Sequence, residues 1–156
     1  MRKSIAISAC FLFNTRYDGK KVENKSVLNF LNELKENNIH IQFICPEQLG
    51  GLTTPRVPCE IVNNRVINKE GKDNTLNFKL GAESSLEILK FLNINTALLK
   101  QRSPSCGCGK IYDGTFSGNI KSGDGITTSL FKENGIEVFT EEDLESEDFL
   151  KKYFSL

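Results

Sequence analysis

Apolar positions recur along the chain in two rhythms, one of period two and one near 3.6 residues. Ile5, Ala6 and Ile7 form a short run within residues 3–9 that predicts a buried first strand. Residues 11–24 hold Asn, Thr, Asp and Gly and predict a loop. Val27, Leu28, Leu31 and Leu34 predict one apolar helical face over 25–37, which Asn37-Asn38 ends. Residues 39–44 alternate as a strand does. Pro46, Gly50, Gly51, Pro55 and Pro58 punctuate 46–60, a density that predicts an ordered loop without helix or central strand. A small hairpin around Asn63-Asn64 is predicted within 61–73. Leu76, Leu80, Leu86, Leu89 and Phe91 predict a helix over 75–92 that tolerates Gly81 at about 1 kcal/mol. Residues 95–100 predict another buried strand, and the Gly-rich stretch 101–123 a second long loop. A helix over 124–134, ended by Gly135, and a strand over 136–139 follow. Thr140 then caps a last helix whose acidic first turn, Glu141-Glu142-Asp143, suits the helix dipole.

Strands and helices thus alternate, which predicts an α/β fold: a mostly parallel, Rossmann-like sheet flanked by helices. At 156 residues the chain is the size of one domain, expected over 1–156 with a C-terminal helix or tail over 141–156. Twenty Lys and Arg balance twenty Asp and Glu. A net charge of zero argues against a broad nucleic-acid interface, which needs a basic face. No apolar run approaches the roughly 18 residues of a membrane span. The start, Met1-Arg2-Lys3 and then an apolar stretch to about Phe13, is weighed as a short signal peptide. The Ile5/Ile7 alternation favours a strand instead.

Five cysteines, at 10, 45, 59, 106 and 108, make an odd count without a convincing secretion signal. That predicts a cytoplasmic, reducing compartment. The lone histidine, His40, removes most zinc-hydrolase and histidine-relay schemes. The cysteines have a positional pattern. Cys10 and Cys45 directly follow the first two predicted strands, and Cys106 follows the strand ending at Lys100 by six residues. In open α/β sheets the carboxyl ends of the strands form the ligand-binding edge. Three thiols there read either as buried small residues or as a soft site for zinc, copper(I) or an iron–sulfur cluster. Three thiolates leave one metal position open. The loops Cys45-Pro46-Glu47 to Pro55-Arg56 and Ser103-Pro104-Ser105-Cys106-Gly107-Cys108-Gly109 add an acid, hydroxyls and close backbone approach, or simple turns.

Three motifs carry a family resemblance over about residues 4–143. They are Ser8-Ala9-Cys10 with Arg16-Tyr17-Asp18-Gly19, Cys45-Pro46-Glu47 through Pro55-Arg56, and Ser103-Pro104-Ser105-Cys106-Gly107 with Ile111-Tyr112-Asp113-Gly114-Thr115-Phe116. In this order they resemble the bacterial domain-of-unknown-function 523 family, which includes the 2-thiouracil desulfurases. The resemblance implies a [4Fe-4S] cluster held by Cys10, Cys45 and Cys106, with one iron open to substrate. It implies Glu47 as acid/base and Ser103 as hydrogen-bonding or proton-transferring hydroxyl. It places Ser8, Tyr17, Asp18, Ser105, Tyr112 and Asp113 around the substrate. The implied reaction is non-redox desulfuration of a thiolated pyrimidine to the oxo base and sulfide. Aerobic handling is expected to lose the cluster or put zinc in its place. Thr15 stands where many relatives carry a further cysteine.

Two rival readings keep the thiols: a cluster-free cysteine nucleophile or sulfur carrier, and a non-catalytic metal- or cluster-binding module. The expected partner is a small thio-compound, with no nucleic acid and no membrane. Oligomeric state is left open. Cys59 and Cys108 are read as packed bystanders, and His40 as structural. Arg16, Arg56, Lys100, Arg102 and Lys110 are read as solvated surface or, alternatively, as a rim attracting an anion.

Overall fold

Alternation of Ile5, Ala6 and Ile7 decides how the first strand sits, and the rest of the sheet is built on it. A computed structural model describes residues 4–145. Its elements in chain order are β1 (Ser4–Ser8), α1 (Lys25–Glu36), β2 (His40–Ile44), α2 (Pro46–Leu49), β3 (Cys59–Val62), β4 (Arg65–Asn68), α3 (Thr75–Phe91), β5 (Thr96–Leu99), β6 (Lys110–Tyr112), β7 (Ile120–Ser122), α4 (Ile126–Glu133) and β8 (Glu137–Thr140). Single 3-10 turns cover Ala9–Phe11 and Glu141–Glu145. Residues 146–156, and with them most of the expected C-terminal helix or tail, lie outside the described residues.

The central sheet has the order β2-β1-β5-β8 and is parallel throughout, as the alternation predicts. Ile5 and Ile7 face one side, where Phe11, Val27, Phe30, Leu31, Leu34 and Leu98 close a core beneath α1. Ala6 faces the other side, with Leu86, Leu89, Ala97, Leu99 and Phe131 beneath α3 and α4. Strand geometry alternates side chains between faces, so one strand feeds both layers. A third cluster, Cys59, Ile61, Val66, Phe78 and Ile111, roots the β3–β4 and β6–β7 hairpins beside the sheet. No helix among the described residues is long and apolar enough to cross a membrane.

Several local expectations are corrected. A short helix, α2, does form inside the Pro-rich stretch, because Pro46 occupies its first turn, where no backbone N–H is needed. β3 also starts within that stretch, immediately after Pro58. The Gly-rich segment after β5 is no plain loop, since it pairs β6 with β7. The hairpin around Asn63-Asn64 is present, and both asparagines take positive φ, as a tight two-residue turn demands. On α1 the buried stripe runs through Phe30, whereas Leu28 is exposed.

On α3 the correction is larger. Leu76, Leu80 and Phe91 are exposed, while Thr75, Phe78, Gly81, Ala82 and Ser85 are buried. Small residues face inward because α2 lies almost on the backbone of α3. A Cβ on Gly81 would stand 1.8 Å from the Pro46 carbonyl oxygen, and one on Gly50 would stand 1.9 Å from the Asn77 oxygen. Gly81 is thus a packing requirement that sets where Cys45, Pro46 and Glu47 lie. An alanine at an ordinary helical site would add about 1 kcal/mol of helix stability. Gly81→Ala is expected to cost about 2–3 kcal/mol instead, by urea denaturation. A neutral or stabilising result would contradict the backbone contact between the two helices.

Candidate functional site

The sheet order reverses direction between β1 and β5, since the chain passes from β1 outward to β2 and then returns to the other side. Loops on either side of that point leave the carboxyl edge in opposite directions and open a crevice. A cleft of about 310 Å³ lies there. Ser8, Cys10, Tyr17, Cys45, Glu47, Ser103, Ser105, Cys106 and Tyr112 all line it. Asp18 and Asp113 do not. Asp18 accepts the Lys20 N–H at 3.0 Å and pairs with Arg16 at 3.5 Å. Asp113 accepts the Thr115 N–H at 2.9 Å. Each is consumed by its own turn, which is the usual use of Asp before Gly.

Cys10 sits on the turn that follows β1, and Cys45 occupies the N-cap position of α2. Cys106 lies in the loop after β5 and is 4% exposed. That loop is pinned to the start of α4: Ile126 and Thr127 N–H groups donate to the Pro104 and Ser105 carbonyls at 2.9 and 2.8 Å. Thr128 Oγ1 donates to the Cys106 carbonyl at 2.8 Å. Gly125 allows the approach, because a Cβ there would stand 2.4 Å from the Ser105 carbonyl carbon. The Ser8 hydroxyl accepts the Lys100 N–H at 2.9 Å and joins the ends of β1 and β5.

Glu47 is held at both oxygens. Arg56 Nε donates to Oε1 at 3.2 Å and the Ser105 hydroxyl to Oε2 at 3.1 Å. Ser105 Oγ stands 2.8 Å from Ser103 Oγ, which also accepts the Ser105 and Cys106 backbone N–H groups at 3.2 Å. Glu47 and Ser103 are therefore connected through Ser105. Arg56 gives three more hydrogen bonds to protein: to the Thr15 carbonyl at 3.1 Å, the Thr53 carbonyl at 3.2 Å and Thr54 Oγ1 at 3.0 Å. It belongs to the site as a clamp on Glu47, not as a free cation for a substrate anion. The signal for it in the sequence was its place at the end of the Cys45–Arg56 segment.

Among the other basic residues of the expected rim, Arg16 and Lys100 line the cleft. Arg102 and Lys110 do not; both pair with Glu142, at 3.1 and 2.9 Å. Cys108 is outside the cleft, its thiol 3.8 Å from the Val138 carbonyl. Cys59 does line it, and Asn74 Nδ2 donates to its sulfur at 3.4 Å. Glu60, Lys69 and Phe116 line it as well and were not singled out by sequence reasoning. His40 begins β2, at the opposite end from the cleft.

Burial is the main influence on the thiols. It pushes Cys10 from the ordinary value of 9.0 up to about 12, with the nearby Cys45 adding to the rise. Burial also raises Cys106, against a smaller opposing effect from the Ser105 hydroxyl, and Glu47, Cys10 and Cys45 raise it further. Cys45 is raised chiefly by burial too. Each of the three thiols is thus costly to ionise in this pocket by itself. No group of three or more His, Cys, Asp or Glu among the described residues is arranged to hold a single metal ion. An iron–sulfur cluster makes a different demand, because each thiolate ligates its own iron atom. A three-thiol donor set without histidine fits such a polyvalent iron centre.

The sequence profile of the 2-thiouracil desulfurase family matches residues 5–143, and the chain belongs to that family. Its members are enzymes that act on carbon–sulfur bonds. The chain is 34% identical over 151 residues to the uncharacterized protein YbbK of Bacillus subtilis (strain 168), covering 90% of this chain and 97% of YbbK. It also matches the solved structure of the [4Fe-4S]-dependent thiouracil desulfidase TudS, with a TM-score of 0.87 and 39% identity. That match covers 97% of this chain and 99% of the other.

Two outcomes are expected. Arg56 and Glu47 side chains are only 7% and 17% exposed, so removing one partner strands a largely buried charge. Arg56→Met is expected to cost about 3 kcal/mol, and adding Glu47→Gln is expected to recover most of it, in a double-mutant cycle by chemical denaturation. The second outcome concerns pH. Raised thiol pKa values mean the folded state keeps protons that the unfolded chain gives up above about pH 9. Stability of metal-free protein is therefore full below pH 9 and falls as pH rises through the folded pKa of Cys10, about 12. Cys10→Ala should flatten that decline.

Proposed function

We propose that this enzyme removes sulfur from a thiolated pyrimidine by hydrolysis, releasing the oxo base and sulfide without net redox change. The observation that carries the reading is the shared cleft. Three thiols from the ends of β1, β2 and β5 line one pocket with a clamped carboxylate and a pair of linked serine hydroxyls. In this reading Cys10, Cys45 and Cys106 hold a [4Fe-4S] cluster. When bound, it supplies a Lewis-acidic iron lacking a protein ligand, a partner for a soft thiocarbonyl sulfur.

The chain's own residues supply the rest. Glu47 takes a proton from the attacking water, and Arg56 keeps its carboxylate turned toward Ser105. Ser103 Oγ, already fixed by two backbone N–H groups, holds or returns a proton at the heterocycle. Tyr17, with the Arg16 guanidinium 5.1 Å from its ring centre, and Tyr112 supply aromatic groups along the cleft for a heterocycle. Ser8 and Ser105 shape the floor, both nearly fully buried. A thiolate-held cluster suits a reducing, cytoplasmic setting. A cluster-free nucleophile is disfavoured at Cys106, because an activated thiol needs a lowered pKa and burial raises this one.

The test is reconstitution without oxygen, followed by iron and acid-labile sulfide analysis. Wild type, Cys59→Ala and Cys108→Ala are expected to bind about four irons per chain, and Cys10→Ala, Cys45→Ala and Cys106→Ala to lose them. Loaded wild type is expected to release sulfide from 2-thiouracil. Glu47→Gln should keep its iron and lose about 100-fold in kcat. Loaded wild type that releases no sulfide from thiolated pyrimidines would overturn the reading.

A further inference from the structure

Glu60 is the second carboxyl group of the cleft, and nothing in the chemistry above uses it. It lies on β3, is 8% exposed and lines the pocket. Its Oε1 accepts two backbone N–H groups, from Gly114 at 3.0 Å and from Phe116 at 3.1 Å. Its Oε2 has no hydrogen-bond or ion-pair partner among the described residues and is not one of the sealed, unpartnered polar atoms, so it is open to a donor entering the cleft.

The segment it holds is conformationally costly. Phe116 adopts φ +55°, a region that bulky side chains seldom enter. Gly114 stands at φ +92°, and a Cβ there would meet the Ile61 carbonyl oxygen at 2.7 Å. Strain of this kind persists where the surroundings over-determine it, and it concentrates at ligand-binding positions. The strained residue belongs to the site: Phe116 and Tyr112 both line the cleft.

We infer that Glu60, Phe116 and Tyr112 form a recognition subsite for the ring of a flat nitrogen heterocycle. Glu60 Oε2 accepts one ring N–H, and the aromatic side chains cover the ring face. Glu60 has a second task, holding Phe116 in its left-handed conformation through Oε1. The pyrimidine class of the ligand rests on the function proposed above; the acceptor and the aromatic faces do not. An acceptor-only group selects a ring that presents N–H and rejects one whose nitrogen at that place is methylated.

The test uses binding of uracil, 1-methyluracil and 3-methyluracil to the reconstituted protein, together with turnover of 2-thiouracil. Wild type is expected to bind uracil and to lose at least tenfold in affinity for one of the two methylated bases. Glu60→Gln, with its carbonyl toward the Gly114 and Phe116 N–H groups and its amide toward the cleft, should erase that discrimination. Its Gly114 and Phe116 amides should stay slow to exchange with solvent, whereas Glu60→Ala should release them. Phe116→Gly should match or exceed wild type in thermal stability, since the strain is relieved, and bind uracil at least tenfold more weakly.

Wild type that fails to bind uracil, or that binds all three bases equally, overturns the subsite. So does Glu60→Gln if it discriminates as wild type does. Discrimination without sulfide release leaves the subsite standing and removes the desulfuration reading. Sulfide release with no discrimination does the reverse.

Discussion

A buried guanidinium holds the cleft in shape. Arg56 bonds the Thr15 carbonyl from the loop after β1, the Glu47 carboxylate from α2, and the Thr53–Thr54 segment. Its own N–H reaches the Tyr17 carbonyl at 2.7 Å. Five donors in a rigid plane suit arginine to this work, and a lysine has neither the number nor the fork. The loops that carry Cys10 and Cys45 are thereby fixed relative to one another before any ligand arrives. Preorganisation of this kind is what a site needs if its groups are to meet a transition state without first rearranging.

Close backbone contact supplies the complementary constraint from beneath. Gly50 and Gly81 let α2 rest on α3, and Gly125 lets the Ser105–Cys106 segment rest on α4. The catalytic candidates Glu47 and Ser103 are thus placed by helices in the layer below, not by flexible loop tips. Phe116, held against its backbone preference by Glu60, gives another lining segment a similar rigidity. The cleft is built from short segments that each have little freedom left.

Membership of the 2-thiouracil desulfurase family and the fold shared with TudS agree with this construction. Family likeness does not by itself select a substrate. In this chain the cleft that holds the thiols is also lined by a clamped carboxylate, two linked hydroxyls, three aromatic residues and a second carboxyl group.

Much of the fold was legible in the sequence, because hydrophobic period is a local property. The four sheet strands, α1, α3 and α4 all follow from it, and so does the gathering of Cys10, Cys45 and Cys106 at one edge, since parallel strands share a direction. Tertiary contact decided the rest. Which face of α3 is buried depended on α2 lying against Gly81, which no single-helix pattern contains. The helix at Pro46 and the β6–β7 pair needed neighbours to fix short segments whose own signals favour loops. Arg56 and Glu60 have the same residue chemistry as any surface Arg or Glu, and only their burial beside particular partners separates them from the rest. Asp18 and Asp113 were plausible cleft residues by motif, yet each side chain satisfies its own turn. The sequence alone determined the layers, the direction of the strands and the thiol edge; the tertiary structure decided which polar groups were left facing the cleft, because satisfaction of a polar group depends on everything packed around it.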